Sequence, residues 1–451
     1  MIIRRRLVYW LVKEYIKKWG KRFALYFLLG CLLFFFLRLT GAFLLTKFVL
    51  GQKNTIGVSG AYTLSTLPPF IIKDISYGLT VIDSDGTPKP GACSSWEIHE
   101  NGKVYVFYLK QGLFFSDGTP VTSKDIDYNF TDAKIERPSP YALVFRLKDV
   151  YAPFLVSVSR PIFKKGFIGI GQYKIKDIKI NGNFIESLSL ASIKDAKATK
   201  TYQFYATADA VKTAYMLGEV KQAVGVSDMQ YKGQQLVKFP NTSVDTTVDY
   251  TKLVSVFFNT GDPVVSDKKI REALTYALPD LFKDGDRAFG PFPKTSWAYD
   301  SGLGEKTEDL SHASLLLKAS AEATDSGKIS LSLTTLEKYS AVAQRLKKEW
   351  SNIGIDTKIT YTNSLPGNFQ LFLGDFNLPQ DPDQYSLWHS TQDNNITHYN
   401  NKRIDKLLED GRKTTDMEER KKLYLDFQKY LVDDAPALFL YFPYQYTLNR
   451  Q

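Results

Sequence analysis

Hydrophobic positions follow three rhythms along this chain, and each predicts a different kind of element. Residues 23–37, FALYFLLGCLLFFFL, form 15 uncharged and almost wholly apolar positions in a row. After Arg38 the chain stays mostly apolar through Leu50, broken by Lys47. A spanning helix needs ~20 apolar residues, so the run predicts a membrane helix from about Phe23 to about Leu45. A cleaved signal peptide, a lipoprotein processed at Cys31 in LLGC, and a buried core helix are the alternatives. The apolar region is longer than a signal peptide's and lacks a clear cleavage site. The run LLFFFL after Cys31 would leave a lipoprotein's mature end inside the bilayer.

Beyond the anchor the rhythm shortens to two. In KVYVFYLK (103–110) Val104, Val106 and Tyr108 point one way and Tyr105, Phe107 and Leu109 the other, which predicts a strand covered on both faces. In LFFSDGTPVTSKDIDYNF (113–130) a strand ends, Asp117-Gly118 turns the chain, and Thr122 with Asp125 has the spacing of a capping box. A helix carrying Ile126 and Phe130 on one face is expected to follow. Helical spacing returns in ADAVKTAYML, closed by Gly218, and in KKIREALTYAL, with Ser266 as candidate cap and Asp267–Arg271 as an i,i+4 pair. A last amphipathic helix from about Met417 stops at Asp433-Asp434 and Pro436 and gives way to a strand. No repeat or long linker interrupts the pattern.

Charge narrows the class. The chain of 451 residues carries a formal net charge of +10, and residues 1–47 hold ten basic side chains against Glu14 alone. The remaining chain is therefore almost neutral, which argues against a phosphate-tracking surface and hence against nucleic acid as partner. The basic cluster before the apolar run places the N-terminus in the cytoplasm and residues 52–451 outside. Only Cys31 and Cys93 are present, and His99, His312, His389 and His398 are scattered. No disulfide framework, zinc cluster, cofactor loop or catalytic motif is expected; the reading is not an enzyme.

The order of motifs resembles the extracytoplasmic solute-binding proteins, family 5, the oligopeptide, dipeptide and nickel type that serves ABC importers. The likeness runs through SYGLT…DGTPKPGACSSWEI, YVFYLKQGLFFSDGTPVTSKDIDYNF, GIGQYKI, AYMLGEVKQAVGV, FFNTGDPVVSDKKIREALTYAL, PFPKTSWAYD, WSNIGIDTKI, DPDQYSLWHS and the segment from Tyr399 to Tyr441. It implies an α/β, two-lobed periplasmic-binding-protein-like clamp with hinge strands. The short segment between Phe130 and Phe167 implies a reduced extra lobe. The expected division is 1–51 for the cytoplasmic end and anchor, 52–260 for the first lobe, 261–440 for the second, and 441–451 for a strand returning to the first. The implied function is capture of peptides and their presentation to an ABC permease and its ATPase, by a monomer. The alternatives are a sensor or structural surface protein without transport, or a binder of nickel chelates, haem or oligosaccharide.

Peptide binders of this family place an aspartate against the peptide amine, shortly before an acidic-proline segment. The matching region here is LFLGDFNLPQDPDQYSLW, which makes Asp375, Asp381 and Asp383 the candidates, while Leu378 stands at the expected spacing. Capping of the next helix is the alternative role for Asp381 and Asp383. Trp297, Tyr299 and Trp388 are the aromatic candidates for the cleft wall, with burial in the core as their alternative.

Overall fold

The basic flank and the apolar run fold as one helix, Arg5–Leu50. The computed structural model describes residues 5–50, 54–195, 197–320 and 329–451. The chain divides into two compact units, Met1–Thr55 and Ile56–Gln451. Among the described residues no single helix is long and apolar enough to cross a membrane. Two segments, Val12–Arg22 and Ala24–Phe36, meet that requirement only together, across a 50° bend. The side chains of Leu25 to Leu29 and Leu32 to Phe36 are exposed. The second half of the expected span, past Phe36, falls largely on side chains outside the described residues.

In the second unit a large sheet holds the chain together. Its strand order begins with Asp356–Thr362, Ser330–Leu336, Leu371–Asn377 and Lys252–Phe258 and then reaches the C-terminal strand Ala437–Arg450. Beyond that strand come Gln222–Val226, Asn54–Ser59, Thr199–Tyr205, Phe184–Ser192 and Tyr173–Asn181. The C-terminal strand is thus shared. Through Ala437–Tyr441 it pairs with Lys252–Phe258, and through Tyr446–Asn449 with Gln222–Val226. Strand Thr242–Val248 lies antiparallel to its outer portion, so the chain passes between the two halves at residues 248–252 and again along this strand.

Each half buries its own core. Trp350 on helix Ser340–Ser351 packs with Leu274, Leu331 and Leu373 in the second half, and its indole donates to the Leu274 carbonyl (3.3 Å). In the first half Val58, Ile71 and Leu188 form one cluster and Val211, Tyr215 and Leu448 another. A separate four-stranded sheet, built from Cys93–His99, Val104–Leu109, Ala133–Ser139 and Ala142–Leu147, covers Tyr105, Phe107 and Leu109. Only that face of Val104–Leu109 is fully covered. Tyr108 on the other face is exposed, which corrects the two-sided expectation. Cys93 is wholly buried, and burial pushes its thiol pKa up.

The corner at residues 113–130 folds as a turn and box, without the expected helix. Asp117 accepts from the Thr119 amide and hydroxyl, and Asp125 accepts from the Thr122 amide at 2.8 Å. Helix then stops after the single turn Ser123–Asp125. The cause is Arg137, whose guanidinium takes the carbonyls of Ser123 and Ile126, both at 2.8 Å, that a continuing helix would use. Ile126 and Tyr128 instead enter the core two residues apart.

Helix Lys268–Tyr276 is capped by Asp267, which accepts from the Lys269 amide; Ser266 is not the cap. Arg271 does not pair with Asp267 but binds the carbonyls of Val265, Ser266, Asp434 and Ala435. The last helix, Met417–Asp434, stops before Pro436 as expected.

Candidate ligand cleft

The loop after the Leu371–Asn377 strand borders one cavity, and the strand itself borders another. One cavity, about 460 Å³, is framed by Lys73 and Asp83–Gly86 of the first half, Tyr250 and Thr251 at the crossing, and Phe292, Leu378 and Gln380 of the second. The other, about 360 Å³, lies within the second half against Phe257, Phe372, Phe376, Trp388 and Asp375. Both volumes fall in the range of small-molecule sites. A groove of about 740 Å³ separates the small sheet from the second half, between Tyr151 and Phe154 on one side and Tyr385 and Arg412 on the other.

Direct contacts tie the halves beside these spaces. The Trp297 amide donates to the Asp85 carbonyl (2.8 Å) and the Ala152 amide to the Arg412 carbonyl (2.7 Å). Gly86 has φ +88°, and a Cβ there would stand 3.0 Å from the Gln380 carbonyl, so the turn needs glycine on both counts. The signal for this first-half contribution was present in VIDSDGTP as a turn. Nothing in that stretch shows that it meets residues near 297 and 380.

The candidate carboxylates separate into different roles. Asp375 lines the apolar cavity and accepts from Lys338 Nζ at 2.6 Å. Burial works against its charge, but bonds from Lys338 and Tyr339 hold its pKa below the ordinary carboxylate value. Asp381 is 6% exposed and faces Arg420, which is 3% exposed, in a two-pronged pair: Nη1 donates to Oδ2 at 2.8 Å and Nη2 to Oδ1. Arg420 also donates to the Gly411 carbonyl and the Tyr424 hydroxyl. Asp383 accepts from Arg412 Nε (2.8 Å) and from the Tyr385 amide, and Asp381 from the Asp383 amide; the residue at the cap of helix Tyr385–Trp388 is Gln384, so neither aspartate caps it. Burial pushes the Asp383 pKa up against the pull of Arg412.

The aromatic candidates are likewise dispersed. Trp388 is 1% exposed, its indole donating to Gln384 Oε1 at 2.8 Å, and it belongs to the core while walling the apolar cavity. Trp297 is half-buried between Tyr424 and the Arg420 guanidinium, 5.5 Å from its ring. Tyr299 is half-buried, its pKa raised by burial, and lines neither cavity. Among the described residues no group of three His, Cys, Asp or Glu side chains is placed to hold a metal ion.

The Asp375–Lys338 pair predicts a pH signature. A carboxyl whose folded pKa is lowered adds stability above its unfolded pKa and loses it as pH falls through the folded value. Acid titration from pH 5 downward, through about pH 4, is expected to lower the melting midpoint of the protein more than that of Lys338→Met. Parallel curves for the two would refute the assignment.

A strand shared by two halves, a cleft between them and a separate four-stranded sheet find their match in one family. The model for "Bacterial extracellular solute-binding proteins, family 5 Middle" matches residues 87–398, well over half of the chain. The chain belongs to this family. The oligopeptide-binding protein AppA of Bacillus subtilis is 24% identical over 439 residues, covering 81% of this chain and 80% of that protein. Among solved structures, NikZ from Campylobacter jejuni in complex with Ni(L-His) superposes with a TM-score of 0.70 at 21% identity, over 88% of this chain and 94% of that one. DppA from Helicobacter pylori, in complex with the peptide STSA, gives a TM-score of 0.66 at 21% identity, over 88% and 93%. The fold is the α/β two-lobed periplasmic binding protein clamp, and as a family 5 member the chain is a binding protein, not an enzyme.

Proposed function

We propose that this protein captures short peptides between its two lobes outside the cytoplasm, tethered by its N-terminal helix, and presents them to an ABC permease driven by an ATPase. The observation that carries the reading is the lobe-spanning cavity beside the hinge, which gathers Lys73, Asp83 and Asp85 from the first lobe around the apolar Leu378 wall of the second. One cation and two carboxylates lining one cavity suit a ligand with charged ends and a neutral backbone. Relatives named for oligopeptide and dipeptide binding support the same ligand class. Leu378 occupies the place expected for the amine-binding aspartate, so Asp375, three residues earlier and at the second cavity, takes the peptide ammonium in exchange for Lys338. Asp381 and Asp383 position the loop, Trp388 walls the second cavity, and Trp297 packs against Arg420 behind the loop. The protein acts as a monomer. Ligand favours closure by the difference between its affinities for the closed and open forms.

The tether rests on the basic flank, the bent apolar pair and its exposed side chains. Native mass spectrometry of the full chain in detergent, followed by calorimetric titration with a di- to pentapeptide library, tests the reading. Co-purified peptides are expected, and Asp375→Ala is expected to weaken peptide affinity at least about tenfold, about 1.4 kcal/mol. An empty protein that ignores the whole library would move the reading to a sensor or structural protein. Unchanged affinity in Asp375→Ala would leave the peptide reading standing and remove Asp375 from it.

A further inference from the structure

The basic flank ahead of the long apolar run has a face of its own. Within the helix Arg5–Leu50, Val12, Tyr15, Ile16 and Trp19 recur at i, i+3, i+4 and i+7, the spacing of a single helical stripe. All four are exposed. Lys13, Lys17 and Lys21 recur four apart on the opposite side, and Lys18 and Arg22 flank the stripe. Trp10 stands with the lysine row, and Glu14 is the sole acid among residues 12–22. The Arg22 guanidinium lies 4.9 Å from the Trp19 ring, at the end of the stripe.

Two facts set how this segment meets a membrane. Five cations within Val12–Arg22 exclude it from the hydrocarbon interior, where each would be stripped of water. Crossing therefore falls to the apolar run from Phe23 onward. The 50° bend between Val12–Arg22 and Ala24–Phe36 turns the basic segment away from the crossing direction. A crossing helix tilts by about 20° on average and up to about 40°, and tilt in the sense of the bend brings Val12–Arg22 near the membrane plane.

In that plane the stripe faces the acyl chains, and the lysine row faces headgroups and water. Tyr15 and Trp19 carry an apolar ring with a polar edge, the kind of side chain that settles at this depth. The excess of cations selects lipids of negative charge. We infer that Val12–Arg22 is an in-plane helix of the cytoplasmic leaflet, its stripe sunk about 5–10 Å into the headgroup boundary and its lysine row bound to anionic lipid headgroups. The inference rests on the tether proposed above, which sets the leaflet. It gives the anchor a second hold on the membrane besides its apolar run.

Spin-label depth measurements on the full chain, reconstituted in vesicles of phosphatidylcholine with phosphatidylglycerol, test this. Cys31→Ser supplies the background, and the wholly buried Cys93 takes no label. Labels at Val12→Cys, Tyr15→Cys, Ile16→Cys and Trp19→Cys are expected to favour oxygen over an aqueous nickel reagent at least about threefold more than labels at Lys13→Cys, Lys17→Cys and Lys21→Cys. In phosphatidylcholine alone the label at Ile16→Cys is expected to shift toward water. Lys13→Gln, Lys17→Gln and Lys21→Gln together are expected to remove that lipid dependence. A depth that increases steadily from residue 12 to residue 22 would overturn the inference, because the segment would then cross. Labels in water at every position would overturn it and leave the stripe to a protein partner. Equal depths in the two lipid mixtures would overturn the role of anionic headgroups. Sodium carbonate extraction of the same vesicles separates this inference from the tether. A chain that is retained with its labels in water keeps the tether and loses the in-plane helix, whereas a chain that is extracted loses both.

Discussion

Asp381→Ala is expected to lower the unfolding free energy by about 3–5 kcal/mol, the cost of leaving a buried ionic partner uncompensated. In a chain of this size that is a fall in melting midpoint of roughly 5 °C. The magnitude follows from what stays behind. Arg420 is almost fully buried, and the charge of Asp381 is what holds its pKa above the ordinary arginine value against the cost of burial. Alanine removes both carboxylate acceptors, and the Gly411 carbonyl and Tyr424 hydroxyl cannot replace them. Replacing both partners together, Asp381→Leu with Arg420→Met, is expected to recover most of the loss, because two apolar groups leave no stranded charge. Urea unfolding of the three proteins measures this directly. A single variant as stable as the parent would show that the pair is hydrated in solution. Peptide affinity serves as the second readout: Asp381→Asn should bind within about twofold of the parent. A large loss of binding at unchanged stability would make Asp381 a ligand contact after all.

That division between positioning and binding carboxylates shows how far the sequence can be read. Local features were legible because their causes are local. The Thr122–Asp125 box, the Gly218 stop and the last helix with its strand all depend on neighbours within a few positions, and all appear. The order of motifs was legible in the same way and carried the family. What failed was set by distant partners. Arg137 ends the helix at Asp125 from beyond the turn, and Arg271 turns from Asp267 to carbonyls some 160 positions later. The site is more affected still. Asp381 meets Arg420 across 39 positions, Asp375 meets Lys338 across 37, and Asp85 reaches Trp297 across more than 200. No local spacing encodes those meetings, so DFNLPQDPD offered three equivalent acids where the folded chain has three different ones. The N-terminal run shows the reverse case. Its apolar content is plain in the sequence, but the bend between Arg22 and Ala24 carries no proline and gave no warning.

The cleft wall itself yields the other large effect. Trp388→Ala is expected to cost about 3–5 kcal/mol in stability, the range for removing a large aromatic from a packed core. The indole touches the core through Phe257 and Phe439, with centroids 6.5 and 6.1 Å away, and its N–H holds Gln384. Gln384 in turn donates to the Pro291 carbonyl at 3.0 Å, which links the acidic-proline loop to the segment ending at Trp297. Losing the indole therefore opens a void and unpairs a buried amide oxygen at once. Trp388→Phe separates the two contributions. It keeps most of the packing and loses only the N–H bond, so a cost nearer 1–2 kcal/mol is expected. The same variant reports on the cavity beside Asp375, because the indole forms part of that wall. If peptides enter there, Trp388→Phe should shift selectivity toward bulkier side chains while the affinity for small ones stays within a few-fold. A uniform loss across the library would mean that Trp388 acts only by holding the loop that carries Asp381 and Asp383. Identical selectivity and affinity in the two proteins would place the ligand entirely in the lobe-spanning cavity, against Leu378.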